Sequence, residues 1–196
     1  MKRNILVALS MTAAMVAGTA HAAKGGVADM IDYWGAGASM VGISGQDSGY
    51  AIEGMVGKKM DKVMENFRVE GVVNYTVVPP KWTFNTYTFS GFSLVPMTID
   101  YKTSVLQLGG FGVYEYPVNK EISVRGKAGL AYQSMSAELA CSATCPGTTS
   151  YNPGSQVTVA FGVGALYALD KAKSVMVEWV KYDTVTYIAA GVKFSM

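Results

Sequence analysis

From Tyr33 to the end of the chain the hydrophobic pattern has a period of two residues, and it recurs in eight separate stretches. Side chains of an extended chain point alternately to opposite faces, so this period belongs to β-strands with one apolar and one polar face. Residues 121–136 are the clearest case. Ile122, Val124, Gly126, Ala128, Leu130 and Tyr132 share one face, and Ser123, Arg125, Lys127, Gly129, Ala131 and Gln133 the other. Residues 67–77 set Phe67, Val69, Val73, Tyr75 and Val77 against Arg68, Glu70, Val72, Asn74 and Thr76. The same alternation predicts strands over 33–41, 50–58, 103–116, 156–169, 174–182 and 186–194.

The stretches are mostly about nine to twelve residues long, the length of a tilted membrane-crossing strand. The connections differ in length: 59–66, 117–120 and 170–173 are short and charged, whereas 78–102 and 137–155 are long. Short turns on one side and longer loops on the other are the pattern of a barrel in an outer membrane, with the N-terminus on the periplasmic side. A soluble sandwich or a lipid-binding periplasmic barrel shows the same period with its apolar face inward. Three features favour lipid. The apolar face carries no charge, charges sit mid-strand on the polar face, and Trp34, Tyr114, Tyr116, Tyr132, Tyr167 and Trp179 lie near strand ends as an interfacial belt would. The expected fold is therefore all-β: an eight-stranded antiparallel up-and-down transmembrane β-barrel over residues 33–196. In lipid an open sheet edge leaves backbone groups unpaired, so the last strand must pair with the first.

The polar face supplies the interior. Glu53, Glu70 and Glu178 are its acids, and Arg68, Arg125, Lys127 and Lys193 its bases. Buried charges require partners, so these residues are expected to form an ion-pair network. Eight strands enclose a space about wide enough for side chains to fill, which makes a plugged interior the expectation and a narrow channel for ions or small solutes the alternative.

The N-terminus reads as a removable export signal. Lys2 and Arg3 precede the apolar run 5–16, and Ala20-His21-Ala22 forms a small-x-small cleavage site. Residues 1–22 are assigned to a Sec-type signal peptide, and 23–32 to a short tether. Of 16 Lys plus Arg in the chain, Lys2 and Arg3 leave with the signal, so the mature part carries 14 against 14 Asp plus Glu. That balance disfavours a nucleic-acid partner. The single histidine, His21, leaves as well. Without histidine the usual general base near neutral pH is missing, and no nucleophile sits beside a substitute. The expectation is a protein that is not an enzyme and needs neither cofactor nor metal. Cys141 and Cys145 lie four apart in an exported chain and are expected to close a small disulfide loop. The long connection 78–102 is rich in aromatics. Trp82, Phe84, Tyr87, Phe89 and Phe92 read either as a hairpin extending the flanking strands or as an outer-loop contact patch, two compatible readings.

The strand count, the export signal and the closing segment Thr186-Tyr187-Ile188-Ala189-Ala190-Gly191-Val192-Lys193-Phe194 together resemble the small outer-membrane β-barrel family that includes OmpX, the OmpA barrel domain, and the opacity and Ail-type surface proteins. The resemblance implies residence in the outer membrane of a Gram-negative bacterium. It also implies contact with outer-membrane lipid and with the assembly machinery, for which Phe194 would be the signal. The family usually ends on that aromatic, whereas Ser195 and Met196 follow it here. The implied role is envelope integrity or surface adhesion through the outer loops. A soluble periplasmic lipid-binding barrel remains the further alternative.

Overall fold

The computed structural model describes residues 31–90, 93–141 and 149–196. The expected signal peptide, most of the tether, Phe92 and Cys145 fall outside them. The described chain forms nine strands: β1 (Tyr33–Ile43), β2 (Gly49–Lys59), β3 (Phe67–Val78), β4 (Lys81–Ser90), β5 (Ser93–Pro117), β6 (Ile122–Cys141), β7 (Thr149–Ala168), β8 (Lys173–Tyr182) and β9 (Val185–Ser195). All neighbouring pairs are antiparallel. β1 pairs with β9 from Tyr33↔Ser195 to Ile43↔Val185, and β3 pairs with β5 from Phe67↔Tyr114 to Tyr75↔Leu106. These two ladders close β1, β2, β3, β5, β6, β7, β8 and β9 into a ring. No backbone edge within the ring is left for lipid to solvate.

The ninth strand, β4, lies outside the ring. It pairs only with the outer part of β5, from Lys81↔Lys102 to Ser90↔Ser93. β5 changes partner along its length without losing its ladder. Below, it pairs with β3 as far as Leu106. At Val105 the Thr76 hydroxyl substitutes for backbone, donating to the carbonyl at 3.1 Å and accepting from the N–H at 3.2 Å. The Thr103 N–H then donates to the Pro80 carbonyl at 3.1 Å, and β4 takes over.

The sequence predicted a loop over 137–155, and the structure corrects this. β6 continues to Cys141 and β7 starts at Thr149, paired from Ala137↔Tyr151 to Leu139↔Thr149 beyond a register shift at Met135–Ala137. Period two arises where the two faces of a strand meet different surroundings, here lipid and the lumen. Both faces are wet beyond the membrane, and most of 149–157 is exposed whatever its parity, so the strands persist where the signal does not.

The two faces of the ring separate cleanly. Leu130, Val163 and Val177 point outward and are 59%, 61% and 52% exposed, whereas Arg125 and Lys127 point inward and are buried. Oily side chains face outward and charged ones inward, the reverse of a soluble protein. On the outer face at the end bearing the N-terminus, Trp34 stacks on Phe194 of the closing strand, with ring centroids 4.5 Å apart.

Candidate functional site: the barrel interior and the projecting hairpin

The interior near the N-terminal end is one connected ionic network. Every member reaches it from the inward parity of its strand. Arg125 on β6 is its centre. Its Nη2 donates to Glu70 Oε2 on β3, its Nε lies 2.7 Å from Glu178 Oε1 on β8, its Nη1 is 3.8 Å from Glu115 Oε1 on β5, and Nη1 also points at Met176 Sδ at 3.2 Å. Lys127 Nζ donates to the other oxygen of Glu178. Glu115 takes Lys193 Nζ at 2.6 Å and Arg68 Nη2 at 2.7 Å, with Arg68 at the open mouth. The Tyr33 hydroxyl donates to Glu70 Oε1 at 2.7 Å, and its ring receives Lys193 Nζ at 4.3 Å from the centroid. Charge-assisted hydrogen bonds of this kind are about twice as strong as neutral ones. A buried network satisfied on several sides holds its members in one geometry.

Six of the seven predicted network residues are thus brought together: Arg68, Glu70, Arg125, Lys127, Glu178 and Lys193. Glu53 is not among them. It faces inward and is buried, yet neither carboxylate oxygen has a hydrogen-bond partner among the described residues. The sequence reading overlooked Glu115 and Tyr33. The signal for Glu115 was available, since it alternates with the outward-facing Tyr114 and Tyr116. Tyr33 opens the first strand that the alternation predicts, with nothing in its parity to single it out. Its ring lies flat over Gly57, its register partner on β2, where any Cβ would overlap it.

Beyond the ionic layer the interior turns aromatic and apolar. Phe111, Tyr182 and Tyr187 form a chain of edge-to-face contacts, with centroids 6.1 Å and 5.4 Å apart, packed with Val41, Val180 and Val185. Such geometry matches the aromatic quadrupoles and adds to the area buried. Asn74, Gln107 and Gln133 also face inward and are buried, and Asn74 Nδ2 donates to the Tyr182 hydroxyl at 3.5 Å.

The predicted outer-loop residues lie in the β4–β5 hairpin. Trp82 and Tyr87 are 50% and 70% exposed, and Trp82 packs on Phe84 with centroids 4.9 Å apart. Phe89 is in β4 opposite Leu94. The backbone parity of β4 follows from its contacts. The Lys81 carbonyl accepts from the Asp47 N–H at 2.7 Å, away from β5, whereas the Pro80 carbonyl turns toward it. Even-numbered residues of β4 therefore ladder with β5, and Thr83, Asn85, Tyr87 and Phe89 present N–H and C=O to an edge that no strand of the described chain covers. Cys141 ends β6 opposite Ile99.

A closed ring with an oily exterior and an ionic interior defines a transmembrane β-barrel. The chain matches the family described as outer membrane protein beta-barrel domain over residues 5–195, and it belongs to that family. Its place is the outer membrane. Among solved structures it is similar to neisserial surface protein A, at 13% identity over 84% of this chain and 96% of that one, with a TM-score of 0.56. It is also similar to a major outer membrane protein of Thermus thermophilus, at 12% identity over 84% of this chain and 99% of that one, with a TM-score of 0.53. At these identities the likeness is one of fold. Among curated proteins none matches the chain.

Proposed function

We propose that this barrel is a non-enzymatic surface protein whose lumen is a structural plug and whose projecting hairpin makes the contacts. The observation that carries the reading is the hairpin of β4 and outer β5. It stands clear of the ring, bears the exposed aromatics Trp82 and Tyr87, and leaves one edge open along Thr83, Asn85, Tyr87 and Phe89. An open edge of uncharged, β-prone residues is a template for strand addition, in which main-chain hydrogen bonds give affinity and alternate side chains give selectivity. The ionic lumen supports the same reading from the other side. Its arginine and lysines are engaged by carboxylates rather than lining an open path, and the mature chain offers no histidine for acid–base work.

The test is adhesion. Cells producing the full barrel are compared with cells producing a barrel in which residues 82–101 are replaced by a short turn. Heat-modifiable gel migration checks that both are folded in the outer membrane. Adhesion of the first and its loss in the second supports the proposal, and equal adhesion overturns it. Residence of Phe194 at the end of β9, stacked on Trp34, supports a part for it in assembly. Replacing it with Ala would lower the folded fraction in the outer membrane if so.

A further inference from the structure

The sheet that projects beyond the ring has two edges, and they differ. The outer parts of β5, β6 and β7 continue side by side, with β4 along one border and β7 along the other. Residues 149–159 of β7 pair with β6 alone, because the ladder to β8 begins at Ala160. That border carries Pro153, Gly154 at φ 102°, and a register shift at Met135–Ala137 of its neighbour. Prolines and bulges stop a sheet edge from pairing with another chain. β4 has neither. Its ladder to β5 runs without a shift from Lys81 to Ser90, it holds no proline, and 82–99 hold no charged residue. Only the base of its edge is covered, where the Asp47 N–H donates to the Lys81 carbonyl at 2.7 Å. The open residues Thr83, Asn85, Tyr87 and Phe89 are left regular and uncharged.

An uncharged edge without such devices accepts its own copy. Self-pairing also lets β4 use everything it presents. In an antiparallel pair centred on Thr86, Thr83 of one copy meets Phe89 of the other and Asn85 meets Tyr87. All four open residues of each copy then sit in hydrogen-bonded pairs. The neighbouring registers set Phe89 against Lys81, whose carbonyl is engaged, or Thr83 beyond the end of β4. In the register about Thr86, Phe84 faces Thr88 and Thr86 faces itself, aromatic–β-branched and Thr–Thr pairs that stabilise antiparallel sheets. Symmetry fixes where the second copy stands. β4 runs from the ring outward, so two copies in one membrane both run away from it and cannot lie antiparallel. The two-fold axis of the antiparallel pair is perpendicular to the sheet. That sheet continues the barrel wall, so the axis lies in the membrane plane, and rotation about it turns the second barrel to face the first.

We propose that the hairpin binds a second copy of this chain across the gap between two facing outer membranes, by antiparallel pairing of β4 with β4 about Thr86. This rests on the hairpin reading above and names its partner. The joint is a continuous sheet in the order β5, β4, β4, β5. Each barrel is ligand and receptor at once, so membranes that carry it hold to one another and not to bare membranes. The β7 border, with its proline and bulge, takes no part.

The protein is purified from outer membranes and reconstituted into phosphatidylcholine vesicles, one lot dyed red and one green. Two-colour coincidence counts docked vesicles, and heat-modifiable migration checks that each variant is folded. Red and green barrel vesicles are expected to dock with each other at least about tenfold more often than either docks with protein-free vesicles, and Asn85→Pro in both lots removes the excess. A cysteine pair reads the register and decides should Asn85→Pro fail to fold. With Cys141 and Cys145 replaced by serine, Thr86→Cys in both lots is expected to give a disulfide-linked dimer under mild oxidant. Opposed residues of a non-hydrogen-bonded pair have Cα atoms about 4.5 Å apart, within disulfide reach. Thr88→Cys gives little dimer, since it faces Phe84. Docking no more frequent than with protein-free vesicles overturns the proposal, as does a Thr88→Cys dimer yield equal to that of Thr86→Cys. Failure here with success in the adhesion test assigns the open edge to a different partner, and failure in both retires the hairpin reading as well.

Discussion

Arg125 and Glu178 meet across a strand that has no side chain between them. Arg125 is on β6 and Glu178 on β8. Their common register neighbour on β7 is Gly164, over which Arg125 Nε reaches Glu178 Oε1 at 2.7 Å. A Cβ at Gly164 would lie 2.6 Å from the Val177 carbonyl oxygen and 2.7 Å from Glu178 Cγ. Glycine in a strand interior normally weakens it; here it lets two side chains span the gap.

Gly164→Val is therefore expected to push Glu178 off Arg125 and destabilise the barrel by about 1–3 kcal/mol, the range for overpacking a filled interior. Equilibrium unfolding in urea, in micelles or vesicles, measures it. No loss would mean that the Arg125–Glu178 contact contributes nothing to stability.

The network has a strong centre and a weak rim. Arg125→Met leaves Glu70 with no cation, only the Tyr33 hydroxyl, and Glu178 with Lys127 alone, and should cost about 3–5 kcal/mol, as removing one partner of a buried pair does. Arg68→Met touches the same network at the wet mouth, where Lys193 still holds Glu115. It should cost under about 1 kcal/mol. The contrast between the two variants, measured by unfolding under identical conditions, checks the assignment of the enclosed layer.

Tyr33→Phe removes the donor to Glu70 and leaves Oε1 of that carboxylate unserved, an expected loss of about 1.5–3 kcal/mol. Gly57→Leu evicts the same ring by occupying its place. Because both variants break one contact, their combination should cost less than the sum of the two. Additive losses in the double mutant would show that the ring and the hydroxyl act independently.

Planar bilayers containing the purified protein are expected to stay silent. The lumen is crossed by the Arg125 network and then by the Phe111–Tyr182–Tyr187 aromatic chain. An eight-stranded ring has no width left for a hydrated path around them. Reproducible single-channel steps from the wild-type protein would refute the plug and restore the channel alternative.

The parts of this architecture that a sequence shows are those that lipid writes into it. The outward rows, such as Ile122 to Tyr132 on β6, and the inward charges Arg125 and Lys127 follow from parity alone. Glu115 follows from the same rule once Tyr114 and Tyr116 are placed outward. Period two could not show the outer continuation of β6 and β7, because a strand wet on both faces has no reason to alternate. Nor could it show that Glu53 stands outside the ion pairs. Parity says which residues share the lumen, whereas pairing depends on height along the barrel and on which cations are already engaged. The hairpin was legible as one of two compatible readings, and its start at Lys81 reflects the handover at Thr76 and Pro80, a matter of backbone contacts that composition does not encode.

That handover also fixes what the open edge can do. Odd-numbered residues of β4 face away from β5, and the chain itself supports the parity: Pro96, which has no N–H, stands opposite Tyr87, at a pair that exchanges no ladder hydrogen bond, so the proline costs the hairpin nothing. A proline placed at Asn85 should likewise leave the hairpin folded, since the N–H it removes points to the open edge. At Thr86 it should break the β4–β5 ladder, because that N–H is used. Hydrogen exchange reads the same alternation in the wild-type protein, with the amides of Phe84, Thr86 and Thr88 protected and those of Thr83, Asn85 and Tyr87 free to exchange. If a partner adds a strand along β4, its binding reverses the second half of this pattern by protecting Thr83, Asn85 and Tyr87. Asn85→Pro then weakens that binding by tenfold or more, about 1.4 kcal/mol for the lost bond and the disturbed neighbours, while the hairpin stays intact. Adhesion that survives Asn85→Pro and falls only when Trp82 and Tyr87 are replaced by serine would move the contact from the strand edge to the aromatic faces.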